Sequence, residues 1–159
     1  MIGSSLEELL FQLDQDLRLL YQEQKEEELF FVVKRLSSSS PCPFCHRISH
    51  RTHSRYCRNV DDLPVADRHI HFQIIVHKWF CDHPDCPVKV FTERLPWLQS
   101  HKRKTNRLES AIEKIAFSMN CPTAEKVCRA IHIPVSHDTL LRRVKGMTFD
   151  LAPSPFRRH

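Results

Sequence analysis

Two short cysteine pairs, Cys42-Pro43-Phe44-Cys45 and Cys81-Asp82-His83-Pro84-Asp85-Cys86, decide the fold of this chain. We call them the first and the second knuckle. The backbone of each knuckle is short enough to turn both of its sulfurs toward one point. Four thiolates that arrive as two such pairs are typical of a tetrahedral Zn²⁺ site. Because a shell of four cysteines leaves no coordination position for water or a substrate, we expect one structural Zn²⁺ ion.

The chain has seven cysteines, and the remaining three lack knuckle spacing. The amino terminus has no basic region followed by an apolar stretch, so we expect a cytoplasmic protein whose thiols stay reduced. The longest apolar run, Leu29-Phe30-Phe31-Val32-Val33, is too short to span a membrane. We therefore expect metal ligands rather than disulfides in the knuckles, and core packing for Cys57, Cys121 and Cys128.

The net charge of +5 is unevenly distributed along the chain. Residues 1–36 hold four Lys or Arg against eight Asp or Glu, whereas the remaining residues hold 20 against 11. A basic body with an acidic amino-terminal segment suits a polyanionic partner, most often nucleic acid. Many soluble proteins without such a partner have a similar charge, so this pattern needs support from particular residues.

The fold class that we predict is α+β, with an amino-terminal helix, a small zinc-ribbon β module and a three-helix cluster. Residues 1–36 would form an amphipathic helix over 5–22 and a first strand over 29–36. The helix rests on leucines spaced by four and three and on a capping box of Ser5 with Glu8. This leucine stripe could pack against the chain's own sheet or form a short coiled-coil seam in a homodimer.

Residues 37–97 would form the zinc ribbon. Between Ile70 and Phe80 apolar residues recur at every second position, which predicts a strand that runs directly into the second knuckle. A metal can replace the hydrophobic core that so few residues cannot build. We predict the turn before this strand at Asp61-Asp62-Leu63-Pro64.

Residues 98–147 read as helical, and residues 148–159 as a tail. Helical spacing predicts one helix around Leu108–Met119, a second around Ala124–Ile131 and a third that begins at Ser136 and ends at Gly146. The short connection Ile133-Pro134-Val135 between the last two matches a helix-turn-helix.

Candidate DNA contacts fall in three places. The third helix presents polar and basic side chains opposite its apolar positions, and a basic run precedes the first helix. A predicted strand between the knuckles adds two arginines. These candidates are Ser136, His137, Thr139, Arg142, Arg143 and Lys145; Lys102, Arg103, Lys104 and Arg107; and Arg55 and Arg58. The alternatives are a solvated basic helix, a solvated linker, and a strand in which Tyr56 packs while Arg58 pairs with Asp61 or Asp62.

These residues together resemble the ISL-three family of insertion-sequence transposases, in its amino-terminal zinc-binding domain and following helix-turn-helix. The resemblance covers roughly residues 38–145. Its motifs are the two knuckles, His53-Ser54-Arg55-Tyr56-Cys57-Arg58, Asp62-Leu63-Pro64, Phe91-Thr92-Glu93-Arg94-Leu95-Pro96, and Ser136 through Arg143. His46 stands where the family tends to have glycine, and the segment after Pro64 lacks the usual tryptophan and glycine.

The resemblance implies sequence-specific binding to double-stranded DNA at the terminal inverted repeats of a transposon. In the family a downstream domain with three carboxylates cuts and joins the DNA, and this chain stops about where that domain would begin. We therefore expect a truncated, non-catalytic transposase fragment that associates with the nucleoid. The rival hypothesis is an interaction module or regulator in which the leucine stripe and the zinc ribbon dock on a full-length transposase.

Overall fold

The computed structural model describes residues 8, 10 and 12–148, and it confirms the α+β class. The chain divides into two compact units, Met1–Leu108 and Glu109–His159. The first unit holds the strands, and the second consists mainly of helices. Among the described helices, none is both long and apolar enough to cross a membrane.

Within the described residues, seven strands form a mixed sheet and a small separate pair. The strands are β1 (Leu17–Gln24), β2 (Glu28–Arg35), β3 (Ser40–Pro41), β4 (Ile48–Ser49), β5 (Thr52–Val65), β6 (Arg68–Phe80) and β7 (Val90–Thr92). The large sheet has the order β1-β2-β6-β5, and β7 pairs with the carboxyl-terminal end of β6. β2 and β6 run parallel, whereas the other pairs are antiparallel.

β6 is the central strand, and its sequence explains its position. The side chains of Ile70, Phe72, Ile74 and Val76 alternate onto one face and are buried in the main core. Leu95, Trp97 and Leu98, which follow β7, complete this core. The alternation therefore predicts β6 correctly, as the run of β-forming residues predicts β2.

The amino-terminal helix predicted over 5–22 is too long. Glu8, Leu10, Gln12 and Leu13 are helical, but residues from Leu17 onward form strand β1. Leu17 and Leu19 alternate into the core, and Leu20 is exposed at a bulge in the pairing with β2. Asp14 turns the chain, since its side chain accepts hydrogen bonds from Trp97 Nε1 (3.2 Å) and Arg35 Nε (3.0 Å). The predicted capping residue Ser5 and the first leucine, Leu6, lie outside the described residues.

The turn between β5 and β6 also differs from the expected place. Asp61-Asp62-Leu63-Pro64 belongs to β5, and the chain reverses at Ala66 and Asp67, whose φ angles are 50° and 57°. Two successive residues with positive φ are characteristic of the hairpin turn that matches strand twist. Pro64 is tolerated because β5 is an edge strand, where a missing N–H group leaves no ladder bond unmade.

Three helices follow the strands in the part of the chain that the structure describes: α1 (Asn106–Ser118), α2 (Cys121–Ala130) and α3 (His137–Thr148). Asn120 caps α2 by accepting a hydrogen bond from the N–H of Thr123 (3.0 Å), and Ser136 caps α3 through the N–H of Thr139 (3.4 Å). The predicted helix end at Gly146 is wrong, because α3 continues through this residue to Thr148. Gly146 has no positive φ angle, so it does not act as a terminating glycine.

Candidate functional site

The two knuckles bring four sulfurs into one cluster. The Sγ atoms of Cys42, Cys45, Cys81 and Cys86 all lie within 4.8 Å of one another. The Cys42–Cys86 and Cys45–Cys81 Sγ separations are 3.9 Å and 3.5 Å. These distances are too long for disulfide bonds. They match the spacing of about 3.8 Å that four sulfurs have when each lies about 2.3 Å from a central tetrahedral ion.

The backbone of the first knuckle is folded around its first cysteine. The carbonyl of Cys42 accepts a hydrogen bond from the N–H of His46 (2.9 Å), and the N–H of Cys42 donates to the carbonyl of Arg47 (2.9 Å). His46 adopts a φ angle of 60°, a conformation that glycine reaches more easily. The histidine at this position therefore keeps the left-handed turn that a glycine would favour. The short β3–β4 pair extends from the base of the knuckle.

The second knuckle is placed by the central strand. β6 ends at Phe80, and the N–H of Cys81 donates to the carbonyl of Lys89 just before β7 (2.9 Å). Within the knuckle, the N–H of Cys86 donates to the carbonyl of His83 (3.1 Å). Trp79 and Phe91 pack with the cysteines in a small core that is separate from the main one. The cluster thus sits at one end of β6 and is largely shielded from solvent.

Three of the four clustered thiols have shifted pKa values. Burial raises the pKa of Cys42, but hydrogen bonds to its sulfur from the backbone of Cys45 and Phe44 outweigh burial and lower the pKa to about 7. At Cys81 the N–H of His83 lowers the pKa, whereas burial and the neighbouring thiols raise it overall. Burial also raises the pKa of Cys86. A cation would replace the protons that these crowded thiols otherwise retain.

The three cysteines outside the knuckles have different surroundings. Cys128 is fully buried in α2, as expected, and burial raises its pKa. Cys121 is partly exposed at the start of the same helix. The prediction of core packing is wrong for Cys57, which is exposed on β5 because its half of this edge strand has six successive exposed residues. Only the four knuckle cysteines therefore come together.

The basic run that leads into α1 has one member, Arg107, that pairs with a carboxylate of the first unit. Arg107 Nε donates to the Asp62 carboxylate (2.8 Å), which has no exposed surface and also accepts a hydrogen bond from the Thr105 hydroxyl (2.6 Å). Lys102 and Arg103 are exposed, and Lys104 is partly exposed. Arg107 thus holds the fold, whereas the other three cations of the run remain available to a partner.

The two arginines of β5 have different surroundings. Arg55 is exposed, whereas Arg58 donates to the carbonyls of Gln99 (3.0 Å) and Lys102 (2.8 Å). The expected alternative, in which Arg58 pairs with Asp61 or Asp62, is not what the structure has. Asp61 instead contacts His71 Nδ1 (2.7 Å), and Asp62 pairs with Arg107. Arg58 therefore fixes the loop after β7 rather than a neighbouring carboxylate.

In the second unit, some of the candidate DNA contacts on α3 pair with other residues of the unit, and others are exposed at its surface. Arg143 forms ion pairs with Glu109 and with Glu113 (3.6 Å), both on α1. Leu140 is fully buried, whereas Arg142 and Lys145 are exposed. The amino-terminal turn is polar: the hydroxyls of Ser136 and Thr139 lie 3.0 Å apart, and His137 Nδ1 lies 3.7 Å from Asp138.

The structure also brings together residues that the sequence did not single out. A cleft of about 440 Å³ opens beside Tyr56 and Arg58, and its lining includes Lys78, Arg94 and His101. We call it the Tyr56 cleft. The basic and aromatic alternation around Tyr56 was a partial signal. Lys78 and Arg94 join it only through strand register and the course of the chain after β7.

No family model, curated protein or solved structure matches this chain significantly.

Proposed function

We propose that this protein binds DNA in a sequence-specific manner, recognising transposon terminal inverted repeats without cutting them. In this proposal it resembles the amino-terminal region of ISL-three family transposases. One structural Zn²⁺ holds the two knuckles together, and α3 meets the DNA. The proposal unites the cysteine cluster, the basic surface and the order of the elements along the chain.

The observation that carries the proposal is the arrangement of side chains on α3. Leu140 is buried against the unit, while the residues around the capped amino-terminal turn are polar and Arg142 is exposed beyond them. In a helix-turn-helix, the first part of the recognition helix meets base edges, and nearby cations meet phosphates. The connection between α2 and α3 is short, and Ile133 within it is buried.

Zinc is the metal that best suits the cysteine cluster. A tetrahedral set of four thiolates is typical of Zn²⁺ or of iron–sulfur centres. The Sγ separations of 3.5 Å and 3.9 Å agree with four sulfurs around one ion. Such an ion would stabilise the end of β6 and the start of β7 without an open position for chemistry.

The candidate cations then divide into two roles. Arg107 and Arg143 hold carboxylates of the chain itself, so we propose that they support the fold. Arg142 and Lys145 would act on the face of α3 toward DNA, with Ser136, His137 and Thr139 at its start. Lys102, Arg103, Lys104 and Arg55 would contact phosphates and supply affinity that depends on salt.

The rival hypothesis of an interaction module proposed two docking surfaces, and the leucine stripe is no longer available as one of them. It needed an intact leucine stripe from Leu6 to Leu20, but Leu10 and Leu17 are buried in the main core of the first unit. Burial of these side chains leaves no continuous stripe for a partner or for a homodimer seam. This observation favours DNA binding over the interaction module.

A mobility-shift assay on a random duplex library tests the proposed function. Zinc-loaded protein should enrich one family of sequences, and Arg142→Ala should weaken or relax that enrichment. Arg129→Ala is the matched control, because Arg129 is an exposed arginine on the neighbouring helix that pairs with Glu125 at 3.3 Å. Equal loss on all duplexes would make Arg142 a phosphate contact, and relaxed preference would make it a base contact. Absence of duplex binding at low salt would overturn the proposal.

A further inference from the structure

The Tyr56 cleft lies entirely within the first unit. Residues of β5, of β6 and of the segment that follows β7 line it. Tyr56 and Lys78 stand on neighbouring strands, and Arg94 and His101 approach from the covering segment. The volume of about 440 Å³ falls in the range of sites for small organic ligands. Leu95 and Leu98 form part of its apolar floor.

The positive charge in the cleft has one acidic counterpart among the residues that line it, and that acid is buried. Arg58, Lys78 and Arg94 contribute three permanent cations, and Glu93 is the single acid of the lining. The Glu93 carboxylate has no exposed surface. It accepts hydrogen bonds from Ser37 Oγ (2.5 Å) and from the His77 N–H (2.7 Å). The cleft therefore presents cations to solvent while its acid faces the interior.

Arg58 and Arg94 both line the cleft, and neither has a carboxylate among the hydrogen-bond partners described for it. Burial lowers the pKa of Arg58, and the charge of Arg94 lowers it further, while Tyr56 acts in the opposite direction. Arg58 donates its hydrogen bonds to the carbonyls of Gln99 and Lys102 rather than to a carboxylate. Arg94 contacts the Ser100 hydroxyl, which is neutral. An anion bound in the cleft would be attracted by the charges of both guanidinium groups.

Tyr56 supplies an aromatic surface next to these cations. Its side chain is 47% exposed, and Lys78 Nζ lies 5.2 Å from the centre of its ring. An aromatic ring beside a basic groove is the combination with which proteins bind unpaired nucleotides, because every base has a face that can stack. In a duplex the base faces are covered by their neighbours, so a ring within a cleft can stack only on an unpaired base.

We propose that the Tyr56 cleft binds an unpaired nucleotide of DNA, with the base stacked on Tyr56 and the flanking phosphates held by Lys78 and Arg94. This inference rests on the proposed function in that DNA is the partner, but it uses a different unit of the chain. The cleft would hold a single-stranded segment while α3 reads duplex. Arg58 keeps the Gln99–Lys102 loop in place and adds its charge to the site.

Fluorescence anisotropy with labelled oligothymidine tests the cleft in the zinc-loaded full chain. Tyr56→Ala and Lys78→Gln should each weaken single-strand binding about tenfold, the size expected for loss of one stacked base or of a phosphate contact. The same variants should leave binding to a blunt duplex within about twofold, because the duplex site lies on α3.

The chain offers matched controls for both variants. Tyr21 is its only other tyrosine, and it is similarly exposed (54%) on strand β1 of the same sheet. Lys34 is a partly buried lysine on β2, as Lys78 is on β6. Tyr21→Ala and Lys34→Gln should leave single-strand binding unchanged. A loss for these controls equal to that for the cleft variants would overturn the proposal.

Photocrosslinking gives a second readout that does not depend on affinity. An oligonucleotide with 5-bromouracil should crosslink to the peptide that contains Tyr56, and crosslinking only to α3 would overturn the inference. Duplex binding that depends on Arg142, with single-strand binding unaffected by Tyr56→Ala, would reject the cleft and retain the proposed function. Single-strand binding that depends on Tyr56, without duplex binding, would reject the proposed function and retain the cleft as a nucleotide site. Binding of neither form would overturn both.

Discussion

Arg107 and Asp62 form an ion pair in which the carboxylate has no exposed surface and the guanidinium is about one-third exposed (34%). Asp62 comes from β5, and Arg107 lies in the first turn of α1. Thr105, which is fully buried, donates a further hydrogen bond to the same carboxylate and accepts one from the N–H of Leu108 (3.3 Å). One carboxylate therefore fixes both the cap and the first turn of the helix.

Replacing this carboxylate should destabilise the first unit. Asp62→Ala leaves the Arg107 charge and the Thr105 hydroxyl without their partner, so we expect a loss of about 2–3 kcal/mol in the free energy of unfolding. Urea denaturation of the metal-loaded protein measures it. Glu23→Ala is the control, because Glu23 pairs with Lys25 at an exposed site (3.5 Å) and should change the value by at most about 0.5 kcal/mol. Similar losses for both variants would contradict this role of Asp62.

Metal binding should depend on the knuckle cysteines and not on Cys57. Cys81→Ser removes one of the four clustered thiolates, so we expect loss of the bound ion and of ordered structure at the end of β6. Cys57→Ser removes an exposed thiol outside the cluster and should retain about one ion per chain. Native mass spectrometry measures the metal content. Retention of a full equivalent of metal by Cys81→Ser would exclude the four-cysteine site.

Metal affinity should fall as the pH falls. The raised pKa values of Cys81 and Cys86 mean that both thiols must release a proton when they become ligands near neutral pH. Cys42, with a pKa of about 7, adds a third proton below that pH. Each released proton changes the affinity about tenfold per pH unit, so these three thiols alone give about three decades per unit or more below pH 7. Competition with a chelator across this range tests the slope, and a pH-independent affinity would argue against thiolate ligands.

Arg143 should matter for the stability of the second unit. Its guanidinium joins α3 to Glu109 and Glu113 of α1 in a site where both Arg143 and Glu109 are less than one-fifth exposed. Arg143→Ala should lower the free energy of unfolding by about 1–2 kcal/mol, because Glu109 loses a partly buried partner. Thermal unfolding followed by circular dichroism measures the change. Arg129→Ala serves as the exposed control, and a larger effect for that variant would reject this role of Arg143.

The elements that could be predicted are those whose sequence pattern reflects local backbone geometry alone. The alternation in Ile70–Phe80 and the close spacing of the knuckle cysteines both reflect local geometry, and β6 and the sulfur cluster follow from them. The amino-terminal leucines were misleading because a spacing of three and four fits a helix until Asp14. There the contacts of Asp14 with Arg35 and Trp97 redirect the chain into β1. Those partners are distant in sequence, so local periodicity could not reveal the change.

The Tyr56 cleft could not be predicted for a similar reason. Tyr56 was visible as part of a basic and aromatic cluster, but Lys78 joins it only through the register of β5 with β6. Arg94 and His101 arrive with the chain after β7, and Arg58 fastens that chain through two backbone carbonyls. The nearby sequence suggested that Arg58 pairs with a neighbouring aspartate. In the fold, Asp61 contacts His71 and Asp62 pairs with Arg107 instead.

The parallel pairing of β2 with β6 has a consequence for the order of folding. β1–β2 and β5–β6 are antiparallel neighbours joined by short turns, whereas the pair Glu28–His69 joins residues about forty positions apart. Contacts between distant residues form slowly because the intervening loop must close first. The first knuckle lies within this loop and the second directly follows β6, so a bound ion would tether both ends of the region. We expect stopped-flow refolding to be faster with Zn²⁺ than without it, and equal rates would show that the sheet closes before the metal binds.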